Sequence, residues 1–405
     1  MEAKSITPVQ AGERINEIDI IRGVALLGIL IVNMSFYKYH VYMERIPTKY
    51  SEGIEQLSAW FIQLFFTGNF YAVFSFLFGL GFFIFMDRTL QKGLELMPLY
   101  SRRLKALMAF GILHLVLFWS GDILLTYSIT GFILLAFRRK SLQAIKKWIY
   151  GLFITACVFN IIASLLKGAA KVIAIEEYRA IMEEMISTAI FMYTEAGFFE
   201  LVAYRLINEI PYVIFSTLLW IPQVLAFFLC GLYAGKLGLF KNIPAHISLF
   251  KKLRSWGFLI GGFFLLLLVL FGSGALPVHP LLRISLFSVM NYIASIFIFP
   301  AYVASLILAA QADFWKKVLS PIAAAGKMAL TNYLSQTLIC VFIFYGFGFG
   351  LYGKVSIAEG LLITIAIYLV QVAWSNAWLQ KFQYGPMEWF WRLLTYKKRQ
   401  PLMKR

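Results

Sequence analysis

Charged residues are scarce in this sequence of 405 residues: Asp, Glu, Lys and Arg together make up only 14%. Hydrophobic residues make up 60%, and the mean hydropathy is +0.76. A chain with so few charges cannot cover a soluble globule with polar side chains, which excludes a soluble protein. We therefore predict an all-α polytopic bundle of transmembrane helices, since each span needs about 20 apolar residues.

Cysteine is also rare, and its three residues lie far apart within apolar stretches, at Cys157, Cys230 and Cys340. Neither a disulfide framework nor a metal-ligand spacing is visible, so we expect no metal and no bound cofactor. The polar N-terminus and first apolar run are followed by no small-residue cleavage site. This pattern predicts an uncleaved first span instead of a signal peptide.

Acidic residues number 20 against 37 Lys and Arg, which gives a formal net charge of +17. The basic residues are concentrated in alternate loops between about ten apolar segments, so the positive-inside rule places both termini in the cytoplasm. They form no stripe, which argues against a nucleic-acid partner and favours attraction to anionic lipid of the bilayer. The segments occupy 20–37, 60–86, 104–119, 122–137, 148–166, 211–235, 256–272, 282–308, 321–345 and 358–380.

The loop between the fifth and sixth segments is unusually long. Its apolar residues recur at helical spacing, with glutamates on the other side, which predicts an amphipathic helix outside the membrane. This helix would either lie on the outer surface or pack over a cavity. The predicted order is a cytoplasmic N-terminus at 1–19, five helices in 20–170, the amphipathic segment at 171–210, five helices in 211–380 and a basic cytoplasmic tail at 381–405.

A short hairpin at 112–125, ILHLVLFWSGDILL, is the first candidate site. From Arg103 to Arg138 the chain crosses the membrane twice with about 17 residues per crossing, the lower limit for a span. We therefore expect the turn at Gly121 to be recessed. Irregular backbone at that depth is tolerated where protein buries it or water fills a cavity, so Asp122 is predicted to line an outward-facing vestibule.

His114 precedes this turn by about two helical turns, which places it roughly 9 to 10 Å deeper on a straight helix. On ideal helices we therefore expect His114 and Asp122 not to touch, since a direct contact would need a broken helix end. Both could still face one cavity and act together through water or substrate. Histidine is suited to general-base work near neutral pH, which makes His114 the catalytic candidate. The alternative is a histidine that merely bonds a neighbouring helix.

The first span contains the polar residues Asp19, Arg22 and Asn33. Asp19 and Arg22 share one helical face at the cytoplasmic border, where they could form a local ion pair. Arg22 could instead bind an anionic group, since guanidinium suits phosphate. The three residues are predicted to bind a substrate or donor.

Polar residues also follow one side of the ninth span, including Lys327, Asn332 and Gln336. This side forms either hydrogen bonds between helices or a binding surface. The sequence YGPMEWFWR comes after the tenth span. Its tryptophans predict interfacial anchors, and the spacing of Glu388 and Arg392 predicts an ion pair within one helix.

Several stretches together resemble the YeiB family of bacterial membrane proteins, whose biochemical function is unknown. They are IDIIRGVALLGILIVN, FSFLFGLGFF, GILHLVLFWSGDILLTYSITG and GKMALTNYLSQ with GPMEWFWR. The resemblance covers nearly the whole chain. It implies a bundle of about ten spans in the bacterial plasma membrane, in agreement with the hydropathy pattern.

More distantly, the first span resembles that of a superfamily of transmembrane acyltransferases, which includes sugar O-acetylating enzymes and the lysosomal heparan acetyltransferase. The O-acetylating members carry an arginine, ten residues and then a catalytic histidine. Here Asn33 occupies the place of that histidine after Arg22. In the lysosomal branch the histidine lies outside, after the first span, where this chain offers His40.

Two functions are compatible with these residues. In an acyltransferase, a cytoplasmic donor such as acyl-CoA would meet Arg22, His114 would be the base, and Asp122 would orient either His114 or the acceptor. Asn332 and Gln336 would line the path to a small-molecule or envelope acceptor. In a transporter or exporter of a small solute, the same groups would relay protons or cations. The sequence leaves a homodimer open.

Overall fold

A computed structural model describes residues 15–39, 53–173 and 175–404 of the chain, so His40 lies outside the described residues. These ranges fold into fifteen α-helices and no named strand. The helices are α1 (Asn16–Lys38), α2 (Ile54–Phe65), α3 (Asn69–Gln91), α4 (Leu96–Leu117), α5 (Leu124–Leu134), α6 (Leu142–Ile173), α7 (Ile175–Thr194), α8 (Phe198–Asn208), α9 (Ile210–Lys236), α10 (Ile247–Gly272), α11 (Pro280–Ala310), α12 (Asp313–Lys327), α13 (Ala329–Phe344), α14 (Ile357–Lys381) and α15 (Pro386–Tyr396).

Seven helical segments in the described part of the chain are long and apolar enough to cross a membrane, and the bent pair α12–α13 would be an eighth. The all-α, multi-pass membrane fold is therefore confirmed. α5 has only 11 residues, and α4 carries Arg102, Arg103 and Lys105 near its start. These two helices lack the length or composition of a full span, so the count of ten spans stays a prediction. The cytoplasmic location of both termini also stays a prediction.

Close backbone contacts hold the centre of the bundle together. A Cβ atom added at Gly79 in α3 would lie 1.9 Å from the Phe228 carbonyl oxygen in α9, and one at Gly231 would lie 2.0 Å from the Phe76 oxygen. Small residues allow two helix backbones to approach this closely. Such packing holds helices together in a membrane, where the hydrophobic effect does not drive them to associate. α1 lies against α3, α11, α12, α13 and α14, so the first span is the hub of the fold.

The ninth predicted span is not one straight helix. α12 and α13 meet at an angle of 79° around Met328. The Glu388 carboxylate in α15 accepts hydrogen bonds from the backbone N–H groups of Leu330 at 2.6 Å and Thr331 at 3.1 Å. A helix that starts inside a protein has free N–H groups that need acceptors, and Glu388 supplies them.

Within the predicted amphipathic segment, α7 covers the helical pattern, and a second helix, α8, follows a bend between Glu195 and Gly197. Both helices contact the bundle: the Gly346 N–H donates to the Tyr193 oxygen at 2.8 Å, and Arg205 donates to the Leu117 oxygen at 2.9 Å. The segment therefore packs over the end of the bundle that contains the α4–α5 turn.

The contact between α3 and α9 predicts a sharp difference between two nearby glycines. Gly79→Ala should lower the free energy of unfolding by about 1–3 kcal/mol, because its new methyl group meets backbone that cannot move aside. Gly81→Ala is the control, since a Cβ there meets nothing within 4 Å. Thermal unfolding in detergent compares them, and equal loss in both variants would contradict the close contact.

Candidate functional site

His114 and Asp122 are hydrogen-bonded directly, with 2.7 Å between Nδ1 and Oδ2. The expectation that they do not touch was therefore wrong. Both side chains are buried, with exposed fractions of 2% for His114 and 0% for Asp122. Asp122 accordingly does not line an open vestibule, and the pair forms the polar centre of an otherwise apolar region.

The path of the chain after α4 explains this contact. The separation expected from the helical rise assumed that a straight helix continues to the turn. Instead, α4 ends at Leu117, and the chain then returns along α4. Gly111 allows the close return, because a Cβ atom there would lie 2.4 Å from the Leu125 nitrogen. Asp122 Oδ1 also accepts a hydrogen bond from the Leu125 N–H at 2.7 Å, which fixes the carboxylate at the start of α5.

The hydrogen bonds continue through two hydroxyl groups that the sequence analysis missed. His114 Nε2 lies 2.9 Å from Thr337 Oγ1, and Thr337 Oγ1 lies 2.7 Å from the Tyr37 hydroxyl. One assignment satisfies all the groups: Tyr37 donates to Thr337, Thr337 donates to Nε2, and Nδ1–H donates to Asp122. We call these four residues the polar chain.

A cavity of about 350 Å³ lies beside the polar chain and is called the basic cavity. Its inner end is formed by Ile123, Leu124 and Tyr333, and the Tyr333 ring centroid lies 5.3 Å from that of His114. Six cationic residues line the cavity: Arg22, Arg88, Lys92, Arg103, Lys327 and Arg392. A polyanion that entered it would therefore be attracted electrostatically.

Two of these cations are held in position by their neighbours. Arg22 pairs with Asp19 at 2.8 Å, as one of the sequence alternatives proposed. The guanidinium of Arg103 lies 3.6 Å from the Trp391 ring centroid, and Trp391 Nε1 donates to the Arg103 oxygen at 2.8 Å. Trp391 was predicted as an interfacial anchor, but its indole belongs to the cavity wall and holds a cation by its π face.

Glu388 lines the same cavity and is half-buried. Besides the two backbone N–H groups, the Thr331 hydroxyl donates to it at 2.6 Å. Burial raises the pKa of the Glu388 carboxyl, and the hydrogen bonds from Thr331 and Leu330 oppose that rise. The residue thus caps a broken helix, a role that its spacing to Arg392 did not indicate; the Arg392 guanidinium stacks on Tyr384 at 4.3 Å.

Four predicted binding residues line neither this cavity nor the second pocket described below, and one of them, Asp19, pairs with Arg22. Asn332 donates to the Ala325 oxygen and to Ser375 Oγ, both at 3.0 Å. Gln336 donates to Gln371 at 2.9 Å, so both amides join α13 to its neighbours. Asn33 is half-buried in α1. Arg22 and Lys327 are the predicted binding residues that the structure does bring to the basic cavity.

A second, smaller cavity of about 100 Å³ adjoins the α4–α5 turn at Ser120 and Gly121. It is called the aromatic pocket, because its lining includes Phe36, Tyr39, Trp119, Tyr193, Tyr212 and Tyr352 together with Glu209. Arg103, near the start of α4, lines the basic cavity, whereas Trp119, just beyond its end, lines the aromatic pocket. The two cavities therefore lie toward opposite ends of α4.

The described residues include no group of three or more His, Cys, Asp or Glu side chains that could hold a metal ion.

Comparison with known proteins places the chain in a family. The family described as "Protein of unknown function (DUF418)" matches residues 234–398. The "Uncharacterized protein YxaH" of Bacillus subtilis (strain 168) is 31% identical over 99% of both chains. The chain belongs to the DUF418 family. An "Uncharacterized 39.9 kDa protein in amylase 3'region" of Bacillus acidopullulyticus is 30% identical over 98% of both chains. The "Uncharacterized protein YeiB" of Escherichia coli (strain K12) is 28% identical over 97% of this chain and 99% of YeiB.

The matched DUF418 region covers only part of the site. It contains Lys327, Thr337 and Glu388, whereas His114 and Asp122 lie outside it. The similarity to YxaH covers both parts, because it extends over nearly the whole length. The resemblance to the YeiB family stated from the sequence motifs is thus confirmed.

The buried pair predicts that Asp122→Asn destabilises this DUF418 protein by about 1–3 kcal/mol. The carboxylate accepts from His114 and from the Leu125 N–H, whereas an asparagine must direct its NH₂ group at one of these donors. Asp87→Asn is the matched control, because Asp87 and Lys241 form an exposed ion pair, which is worth about 0–1 kcal/mol. Thermal unfolding in detergent measures both, and a larger loss for Asp87→Asn would contradict the role of the buried pair.

Proposed function

We propose that this membrane protein is an acyltransferase, which moves an acyl group from a cytoplasmic thioester to an acceptor at the outer face of the bacterial plasma membrane. One observation carries the proposal: a buried Asp–His pair lies directly behind the inner end of a cavity lined by six cations. This arrangement combines a base with a binding site for an anionic donor.

The donor side of the proposal rests on the charges of the basic cavity. A thioester such as acyl-CoA carries several phosphates, and guanidinium groups bind phosphate with two hydrogen bonds. Arg22 and Arg103 are held by Asp19 and Trp391, so little side-chain freedom would be lost on binding. The positive-inside rule puts this end of the bundle in the cytoplasm, where acyl thioesters are made available.

The chemical side of the proposal rests on the polar chain. His114 accepts the proton of the attacking hydroxyl or amine as the new bond to the acyl carbon forms, and returns it to the leaving thiolate as the carbon–sulfur bond breaks. Asp122 fixes the ring and stabilises its protonated form. Tyr333 lines the basic cavity and packs against His114, which makes its hydroxyl the candidate donor to the developing oxyanion.

The acceptor side of the proposal rests on the aromatic pocket. Aromatic rings with a polar tip are suited to hold an amphipathic or ring-shaped group, and Glu209 can accept hydrogen bonds from it. The Tyr193 hydroxyl already donates to Glu209 at 2.9 Å, which fixes the carboxylate against the pocket wall. We expect a small molecule or an envelope component, and no nucleic acid, as the acceptor.

The broken helix α12–α13 favours a second candidate, transport of a small solute. Discontinuous helices at the centre of a bundle commonly form the substrate sites of transporters. Lys327 stands at this break and lines the basic cavity. In that case His114 and Asp122 would relay a proton, and the protein would move a solute without transferring an acyl group.

The enzyme proposal predicts that the purified protein binds labelled acetyl-CoA and transfers the label to an envelope fraction. His114→Ala should lower the rate of transfer by about 100-fold or more, as loss of a general base does, and should leave binding nearly unchanged. Absence of both binding and transfer would refute the enzyme. Solute uptake into vesicles that depends on His114, without any label transfer, would favour the transporter.

The basic cavity predicts a second effect, on binding alone. Lys327→Gln should raise the Kd for acetyl-CoA by about tenfold and reduce its salt dependence, because one cation that meets the phosphates is lost. Lys317→Gln is the control, since Lys317 is an exposed residue of the same helix that does not line the cavity. Equal effects of the two substitutions would argue against donor binding in this cavity.

A further inference from the structure

A buried wall separates the basic cavity from the aromatic pocket. The two cavities share no lining residue within the described ranges. On one side Tyr333, at the end of the basic cavity, packs against His114. On the other side Trp119, in the aromatic pocket, packs against Tyr37 with 4.2 Å between ring centroids. The polar chain therefore lies between residues that line the two cavities.

Thr337 is the hydroxyl within that wall that contacts the histidine. Its side chain is 0% exposed, and Oγ1 lies 2.9 Å from His114 Nε2, whose Nδ1 is bonded to Asp122. Carboxylate, imidazole and hydroxyl thus follow one another in the order that activates a nucleophile in hydrolases. The arrangement is recognised by this geometry and not by position in the sequence.

The hydrogen bonds of Thr337 differ from those of Thr89 and Thr364, two other buried threonines in the bundle. The hydroxyl of Thr364 donates to the Gly360 oxygen one turn earlier at 2.8 Å, and that of Thr89 donates to the Phe85 oxygen at 2.7 Å. These bonds satisfy a helical threonine within its own helix. Thr337 Oγ1 instead contacts two side chains from other helices, His114 in α4 and Tyr37 in α1.

We propose that Thr337 is an acyl-accepting nucleophile that carries the acyl group across the wall, a role that rests on the proposed acyltransferase function. In the first step Oγ1 bonds to the thioester carbon, His114 takes the hydroxyl proton, and the carbon–sulfur bond breaks as the thiolate receives that proton. In the second step an acceptor hydroxyl or amine attacks the threonine ester. His114 takes the acceptor proton as the acceptor bonds to the acyl carbon, and returns it to Oγ1 as the bond between the acyl carbon and Oγ1 breaks, which releases the acylated acceptor and restores the free threonine.

The test uses two acyl donors in the absence of any acceptor. One is labelled acetyl-CoA, and the other is p-nitrophenyl acetate, a neutral activated ester that does not need the cations of the basic cavity. The full-length protein in detergent is incubated with each donor, digested, and examined by mass spectrometry for acetyl groups. We expect one acetyl group per chain, located on Thr337, from both donors.

Variants separate the nucleophile from a structural hydroxyl. Thr337→Val should lower the labelling by about tenfold or more with either donor, whereas Thr337→Ser, which keeps a hydroxyl, should retain it. Thr364→Val is the matched control for the loss of a buried hydroxyl and should label like the wild type. Gel filtration and thermal unfolding verify that each variant is folded.

Each outcome bears on a different part of the proposal. Label transfer to an envelope acceptor that persists in Thr337→Val would overturn the nucleophile and leave the acyltransferase intact. Labelling of Thr337 by p-nitrophenyl acetate but not by acetyl-CoA would support the nucleophile and refute the thioester donor. If neither donor labels Thr337 in the folded wild type, the inference is wrong.

Discussion

A single hydrogen bond of 2.7 Å between His114 and Asp122 determines how this part of the bundle is built. An imidazole and a carboxylate inside an apolar protein are costly unless they are paired and their remaining atoms find partners. Leu125 supplies a donor for the second carboxylate oxygen, and Thr337 supplies the partner for the second ring nitrogen. The buried pair is thus fully hydrogen-bonded only in this one arrangement of α4, α5 and α13.

Close packing of the surrounding helices brings the hydrogen-bond partners of the pair into place. Gly111 lets the start of α5 come within van der Waals contact of α4, which brings Asp122 to the histidine. α1 supplies Tyr37 from the opposite side, and its position depends on the tight contact of Asp19 and Gly23 with Gly326 of α12. Packing and polar chemistry are therefore not separable here, since moving any of these helices would leave a buried polar atom without its partner.

The sequence was sufficient for the fold class and for two of the four residues of the polar chain, His114 and Asp122, but not for their contacts. Composition and hydropathy predicted an all-α membrane protein because the bilayer allows few alternatives. His114, Asp122 and Arg22 were found because ionisable groups within apolar runs are conspicuous. The direct His114–Asp122 contact was missed, since it depends on where α4 ends. Thr337 was missed because a threonine in an apolar helix is ordinary and its partner is 223 residues away.

The positive-inside rule accounts for the distribution of basic residues along the chain, but it gives no sign that some of them also line a cavity. Arg103 was assigned to membrane topology by the positive-inside rule, and Trp391 to the interface, and both assignments account for their positions along the chain. The structure places them face to face in the wall of a cavity. One turn of α15 therefore makes two contacts with the site. Trp391 stacks on the guanidinium of Arg103, and Glu388 caps the helix that begins after the break at Lys327. A helix that only anchored the chain would need neither contact, so the C-terminal segment belongs to the site itself.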